Sequence, residues 1–109
     1  MEILNCTPHA INIIVNGESK TYEPSGIIPR VTTSYSEVEM YEGLPFVKSY
    51  KGEVENLPER KRDVLLLVSG MVFEAVSNFR TDIIAPDTGS TAIRNDKGHI
   101  VAVTRFLRK

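Results

Sequence analysis

The stretch that most constrains the fold is an unbroken apolar run, Val-Leu-Leu-Leu-Val, at positions 64–68. Its lack of polar alternation is typical of a strand that is buried on both faces, as strands in parallel sheets are. A second strand-like segment occupies residues 82–85, and residues 70–81 connect the two. Neighbouring parallel strands need a connection of about a dozen residues, commonly a helix. We therefore expect a βαβ unit, with an antiparallel return of the second strand as the alternative.

The connecting segment has the features of one short helix at about residues 70–80. Ser69 is a good N-cap, because its hydroxyl can accept a hydrogen bond from a free amide of the first helical turn. Apolar side chains then recur at the i, i+3, i+4 and i+7 spacing of an amphipathic helix. These side chains belong to Val72, Ala75, Val76 and Phe79.

The rest of the chain is predicted to form antiparallel hairpins. Asn16-Gly17 and Glu42-Gly43 are turn signals, and the Asn-Gly pair is the strongest short hairpin signal. The predicted hairpins pair residues 11–15 with 19–23, residues 31–40 with 44–54, and residues 91–95 with 99–107. The expected fold class is α+β, with a mostly antiparallel curved sheet or partial barrel, hairpins and one short helix. A chain of 109 residues favours a single domain, residues 1–109.

Composition and charge argue against several classes of protein. The net charge of −1 and the pI near 6.1 argue against a binder of nucleic acid polymers, which usually has a basic excess. No apolar run has the length of a membrane span, and the first residues lack the basic region of a signal peptide. Cys6 is the only cysteine, so no internal disulfide is possible. We expect a cytoplasmic protein without membrane contact.

The expected βαβ unit brings two turns to one edge of the sheet. Ligands of open α/β sheets lie outside the carboxyl ends of the strands. Ser69 and Gly70 follow the first strand at a helix N-terminus, where free amides favour an anion. Asp87-Thr88-Gly89 follows the second strand and offers a carboxylate, a hydroxyl and an amide. Arg94 lies just beyond and has the geometry for a bidentate contact to phosphate.

A second candidate lies near the start of the chain, at Thr7-Pro8-His9. Proline restricts the backbone there, so His9 is expected to hold a defined position. Its imidazole can stack on a base or donate a hydrogen bond to a phosphate. The alternative is a surface or capping histidine.

The candidate residues of the two turns also have structural interpretations, which stay open from the sequence. An aspartate in a turn often accepts a hydrogen bond from the backbone two residues on, as Asp87 would from Gly89. Ser69 has the alternative role of a plain N-cap, and Arg94 that of a solvated strand residue.

Binding without catalysis is the simpler expectation. No catalytic motif such as G-x-S-x-G occurs, and the histidines have no cysteine partners at zinc spacing. We therefore predict no catalytic residues, no metal site and no cofactor. The enzymatic alternative is a small nucleotide hydrolase that uses His9 and Asp87.

Aromatic residues cluster on the 31–54 hairpin. A contact between subunits of a homo-oligomer is the favoured interpretation, because the hairpin has little else to bury against. The alternatives are a stacking surface for a base and a protein-binding role, as in a virion accessory protein or an inhibitor. The residues are Tyr35, Tyr41, Phe46 and Tyr50.

Motifs spread over nearly the whole chain resemble a family of small proteins from phages, prophages and some bacteria. The motifs are N-x-T-P-H at 5–9, G-E-V-E-N-L-P at 52–58, V-S-x-x-V at 68–72, and A-P-D-T-G-x-x-A-I-R at 85–94. Members commonly read N-L-T-P-H and P-D-T-G-P, where this chain has Cys6 and Ser90.

The resemblance implies a phage context, in which small counter-defence proteins are plausible. Some of these are sponges, oligomers that bind a host's cyclic nucleotide or ADP-ribose-derived signal without cleaving it. By that analogy, the protein would sequester a small anionic, nucleotide-like ligand in the host cytoplasm. The residues expected to hold the ligand are Thr7, His9, Arg30, Ser69, Gly70, Asp87, Thr88, Gly89 and Arg94.

Overall fold

The apolar run is the second strand of a four-stranded sheet in the computed structural model, which describes residues 1–109. The elements, in chain order, are β1 (Glu2–Asn5), β2 (Ile11–Val15), β3 (Glu18–Tyr22), β4 (Arg30–Tyr35), β5 (Glu39–Tyr41), β6 (Leu44–Phe46), β7 (Ser49–Glu55), β8 (Val64–Leu67), α1 (Gly70–Val76), β9 (Ile83–Pro86), β10 (Ile93–Arg94), β11 (Ile100–Ala102) and β12 (Phe106–Arg108). The sheet has the order β1-β8-β9-β12.

The predicted βαβ unit is confirmed. Strand β8 pairs in parallel with β9, with Leu66 opposite Ile83 and Leu67 opposite Ile84, and α1 connects them. Strand β1 adds a second parallel pairing on the other side of β8, and β12 pairs antiparallel with β9. The antiparallel alternative for β8 and β9 was therefore wrong, and the sheet that carries the core is mixed.

Burial of β8 on both faces is also confirmed. Leu66 and Val68 belong to the core cluster that includes the buried side of α1, whereas Leu67 points to the opposite face. All three are at most 2% exposed. The core cluster is completed by Val72, Phe73, Val76, Ile83, Ala85 and Cys6.

The helix is shorter than predicted. It begins after Ser69, whose hydroxyl accepts a hydrogen bond from the Val72 amide, and it ends at Val76. Ser77 and Asn78 follow, both weaker helix formers than alanine or leucine. Phe79, predicted to lie on the buried stripe, therefore falls in the turn beyond the helix and is 74% exposed.

Two predicted hairpins are confirmed and the third differs. Asn16 and Glu42, each followed by glycine, have φ near +50°, as tight two-residue turns require. The third hairpin joins only β10 to β11. The predicted strand 99–107 is interrupted at residues 103–105, and its last part, β12, joins the central sheet.

The antiparallel pairs form separate two-stranded sheets without a closed barrel, so the fold class is α+β as predicted.

The 31–54 hairpin is a long projection from the sheet. We define the arm as residues 30–55, and its tip as residues 36–47. Strands β4 and β7 form the stem, and β5 and β6 form the tip. The pairing shifts register between Val31 and Thr33, where Gly52 lies so close that an added Cβ would sit 2.5 Å from Thr32 Oγ1. A larger residue at position 52 would therefore displace the Thr32 hydroxyl, which donates a hydrogen bond to the Glu53 carbonyl at 3.0 Å.

The helix in this structure is too short to cross a bilayer: none of the chain's helical segments has the length and apolar content of a membrane span.

Substitution of the central strand tests whether its burial dominates stability. We expect Leu67→Ala to lower the free energy of unfolding by about 2–5 kcal/mol, because the residue is fully buried and a cavity would remain. Urea denaturation followed by circular dichroism measures the change. Val15→Ala, at a strand position that is 49% exposed, is the control and should change stability by about 0.5 kcal/mol or less. Equal effects of the two substitutions would contradict the assignment of the core.

Candidate functional site

The carboxyl ends of three parallel strands meet at one edge of the sheet. Asn5 at the end of β1 lies opposite Leu67, and Leu67 lies opposite Ile84 of β9. The Thr7-Pro8-His9 segment, Ser69 and Asp87 each follow one of these strands. The turns that sequence analysis selected as candidates thus leave the sheet from the same edge. Strand β1 is an addition, since its parallel pairing with β8 was not predicted.

At the first of these turns, the polar groups of Thr7 are used to build the loop. The Thr7 amide donates to Asn5 Oδ1 at 2.9 Å, and the hydroxyl lies 2.7 Å from the same oxygen and 2.9 Å from the His9 carbonyl oxygen. Asn5 Nδ2 donates to the carbonyls of His9 and Tyr22, both at 2.8 Å. Asn5 and Thr7 are buried, whereas His9 is exposed. The motif therefore holds the backbone of the loop and leaves the imidazole on the surface.

The Asp87-Thr88-Gly89 turn holds an arginine of its own chain. Asp87 Oδ1 accepts a hydrogen bond from the Gly89 amide at 3.0 Å, and Oδ2 accepts one from Arg105 Nε at 2.7 Å. Arg105, followed by the Gly89 amide, holds the pKa of the Asp87 carboxyl below its usual value. The carboxylate therefore has fewer free acceptor positions for a ligand, and its lowered pKa makes it a weak general base.

The remaining predicted residues are distributed over different parts of the molecule. Ser69 caps α1, a helix of seven residues, next to Gly70. Arg94 Nη1 donates to the Gly98 carbonyl at 2.7 Å, within its own hairpin. Arg30 lies in β4 opposite Glu55, and its side chain makes no hydrogen bond or ion pair.

Two of the nine predicted ligand residues, His9 and Thr88, line a common groove. This open groove has a volume of about 260 Å³ and is bounded on its other side by the backbone and side chains of residues 100–103. Ser69, Gly70 and Arg94 do not line it. The two strand-end turns therefore leave the same edge of the sheet, but Ser69 and Thr88 do not line a common groove.

The largest concavity lies at the opposite edge, next to the amino ends of the parallel strands. It has a volume of about 620 Å³ and is bordered by the start of β8, the residues before β9 and the end of β12. We call it the basic cleft, because four cationic side chains line it: Arg60, Lys61, Arg62 and Arg108. These residues were not among the predicted site residues, although the basic run at 60–62 was the available signal.

The cations of the basic cleft make no direct contact with a carboxylate of the chain, although the charge of Arg60 adds to the lowering of the Asp82 pKa. None of the four side chains makes an ion pair or a hydrogen bond. Of the two carboxylates that line the cleft, Asp82 is already paired, since Arg80 donates to its two oxygens at 2.8 and 2.7 Å. Arg80 thereby lowers the pKa of the Asp82 carboxyl. Asp63 is left as the one unpaired carboxylate, so the cleft has an excess of positive charge and suits an anion.

The single thiol is placed for packing. Cys6 is 2% exposed within the core cluster, and its burial raises the pKa of the thiol. A buried thiol with a raised pKa carries little thiolate and is a poor nucleophile.

Two residues that shape the carboxyl edge, Asn5 and Arg105, were not predicted. Asn5 stands in the N-x-T-P-H motif, so the motif itself was the available signal for its role. Arg105 contacts a residue 18 positions away, and no local pattern in the sequence links the two.

Comparisons of the chain with protein families, with curated proteins and with solved structures found no match. The resemblance to a phage family therefore stays a prediction.

Acid sensitivity should follow from the Arg80–Asp82 pair. The folded pKa of Asp82 lies below the ordinary value of about 3.9, so the unfolded chain takes up the proton first as the pH falls. The stabilisation of the folded state by the Arg80–Asp82 pair is present above pH ~4 and is lost as the pH falls through the folded pKa of Asp82. We expect Asp82→Asn to be less stable than the parent at pH 7, with the difference shrinking below pH ~4, in urea titrations between pH 7 and 2. Asp96→Asn, in an exposed turn, should follow the parent throughout; a constant gap for Asp82→Asn would contradict the linkage.

Two substitutions separate structural from ligand-binding roles in the N-x-T-P-H motif. Thr7→Val conserves shape but removes the buried hydroxyl, which should lower the free energy of unfolding by about 1–3 kcal/mol. His9→Ala, at an exposed position, should change it by about 0.5 kcal/mol or less. Thermal and urea unfolding of the ligand-free protein measure both. An unchanged stability of Thr7→Val would show that its hydroxyl is free for other partners.

Proposed function

We propose that this protein binds a small, phosphate-bearing, nucleotide-derived ligand and sequesters it without cleaving it. The observation that carries the proposal is the basic cleft, where the cationic side chains of Arg60, Lys61, Arg62 and Arg108 make no hydrogen bond or ion pair within the chain. Unpaired guanidinium groups are suited to phosphate oxygens, because they donate two parallel hydrogen bonds as well as charge.

The size of the cleft supports a small ligand. Its volume of about 620 Å³ falls in the range of about 300–1,000 Å³ that is typical of small-molecule sites. The chain as a whole has a net charge of −1, whereas binders of nucleic acid polymers usually have a basic excess.

Sequestration is favoured over hydrolysis by the state of the candidate catalytic groups. The proposed hydrolase would need Asp87 as a base, but Arg105 and the Gly89 amide already occupy its carboxylate oxygens. Cys6 is buried. The resemblance to phage proteins adds the context of a counter-defence sponge in the host cytoplasm, with a cyclic nucleotide or an ADP-ribose-derived signal as the ligand.

The predicted carboxyl-edge site remains the alternative location for the same ligand. This location is supported by the groove that His9 and Thr88 both line, because their side chains make no hydrogen bonds within the chain. The two locations lie at opposite ends of the parallel strands, so separate substitutions can test each without disturbing the other.

The test is titration calorimetry with cyclic dinucleotides, cyclic trinucleotides and cyclic ADP-ribose isomers. We expect at least one ligand to bind and to be recovered intact after heat denaturation. The same ligand should bind about tenfold or more weakly to Arg62→Gln and to Arg60→Gln, because each variant loses a charge-assisted hydrogen bond. Lys97→Gln is the control and should bind like the parent, since that exposed lysine lines neither the basic cleft nor the carboxyl-edge groove.

Three outcomes would contradict parts of this proposal. Absence of heat with all three ligand classes, with nothing retained through purification, would contradict binding. Loss of affinity in His9→Ala with none in Arg62→Gln would move the site to the carboxyl edge. Recovery of a cleaved ligand, with turnover abolished by His9→Ala, would identify a hydrolase.

A further inference from the structure

The arm exposes far more apolar surface than any other part of the molecule. Every residue of β5 and β6 is exposed, including apolar side chains that project from both faces of the tip. Tyr41 and Phe46 contact each other edge-on with ring centroids 6.4 Å apart. The large apolar side chains of the arm that are 49–68% exposed are Tyr35, Val38, Met40, Tyr41, Leu44, Phe46, Val47 and Tyr50.

The arm extends away from the body that would otherwise cover it. Near its base, Val31 and Val54 pack against the core cluster, while none of the tip residues belongs to that cluster. The radius of gyration is 16.9 Å, compared with about 13 Å for a compact domain of this length. The tip therefore needs a partner from outside the chain if its apolar surface is to be buried.

The exposed apolar area of the arm, summed over its two faces, approaches that of a dimer interface. An aromatic residue buries about 150–250 Å² when it is covered, so the four aromatic residues of the arm, at 51–68% exposure, offer on the order of 500 Å². The four aliphatic residues raise the total over both faces toward the roughly 800 Å² per partner of a standard interface. Because side chains alternate between the faces, a contact that covers one face buries about half of this area. A second copy supplies an equal and chemically identical surface, as a two-fold symmetric contact requires.

The charge distribution along the arm indicates how two copies would align. The tip carries Glu37, Glu39 and Glu42 and no lysine or arginine. The adjoining part of the stem carries Lys48 and Lys51, opposite Ser36 and Thr33. When two arms lie antiparallel about a two-fold axis, the acidic tip of each reaches the lysines of the other. Parallel overlap would instead place the two acidic tips together.

The backbone of the arm is also open to pairing. Strands β4 and β7 form a two-stranded sheet, so each has a free edge of amides and carbonyls. Free edges of this kind pair readily with a strand from another chain. We propose that the arm is a homodimerisation element, in which two copies of the chain lay their arms antiparallel, tip on stem. This inference is independent of the proposed ligand.

The test measures the oligomeric state of the full chain by sedimentation velocity and by size exclusion with light scattering. We expect a dimer at micromolar concentration, and a dissociation constant raised about 100-fold or more by the pair Tyr41→Ser and Phe46→Ser, with an unchanged urea midpoint for the monomer. Phe79→Ser is the matched control, because that phenylalanine is exposed outside the arm, and it should leave the dimer intact. A specific interface of this kind is expected to have a dissociation constant of about 1 µM. A parent protein that stays monomeric at ~100 µM would therefore overturn the proposal. The arm would then be a binding surface for a different protein.

Charge reversal tests the antiparallel alignment. One variant carries Glu39→Lys with Glu42→Lys, and the other carries Lys48→Glu with Lys51→Glu. Each alone should dissociate, because its tip and stem then have like charge across the two-fold axis. An equimolar mixture should form a heterodimer, since both of its tip-on-stem contacts are again complementary. Two variants that each dimerise alone as strongly as the parent, or a mixture that stays monomeric, would overturn the tip-on-stem arrangement.

Discussion

The structure depends on the burial of β8 between two parallel neighbours. A strand with apolar side chains on both faces has no stable position at the surface, so it must lie between other strands and between two layers. Leu66 and Val68 face α1, and Leu67 faces the opposite side, all with almost no exposure. Once β8 is in place, β1 and β9 run in the same direction on either side of it. The ends of the sheet thereby become chemically different, with three strand-end turns at one edge and the basic cleft at the other.

The elements of the fold that depend on local chemistry were predictable from the sequence. The apolar run, the Ser69 cap and the Asn16-Gly17 turn each carry a physical signal within a few residues, and each was found where it was expected. The end of the helix was mispredicted, because the spacing of Phe79 fits a longer stripe than the chain forms. The last strand was mispredicted because the pairing of β12 with β9 is a non-local contact that no short pattern encodes.

The candidate site was predictable only as far as residue types allow. Asp87 and Arg94 were predicted to contact the ligand, but both are engaged by other parts of the chain, at Arg105 and Gly98. The same carboxylate in the same turn serves a ligand or an arginine according to which group the fold brings near it. The basic cleft was missed for the corresponding reason: Arg108 joins the 60–62 run only because β12 returns to the sheet. Cations that are distant in sequence became a cluster through topology.

The buried position of Cys6 has a practical consequence. It is the chain's sole cysteine and is 2% exposed inside the core cluster, directly after the first strand of the sheet. An alkylating reagent can reach its sulfur only when the core around the side chain opens, because the folded protein buries it. The rate of alkylation in native buffer therefore reports how often this part of the molecule opens. Local unfolding can be measured in this way without introducing a cysteine.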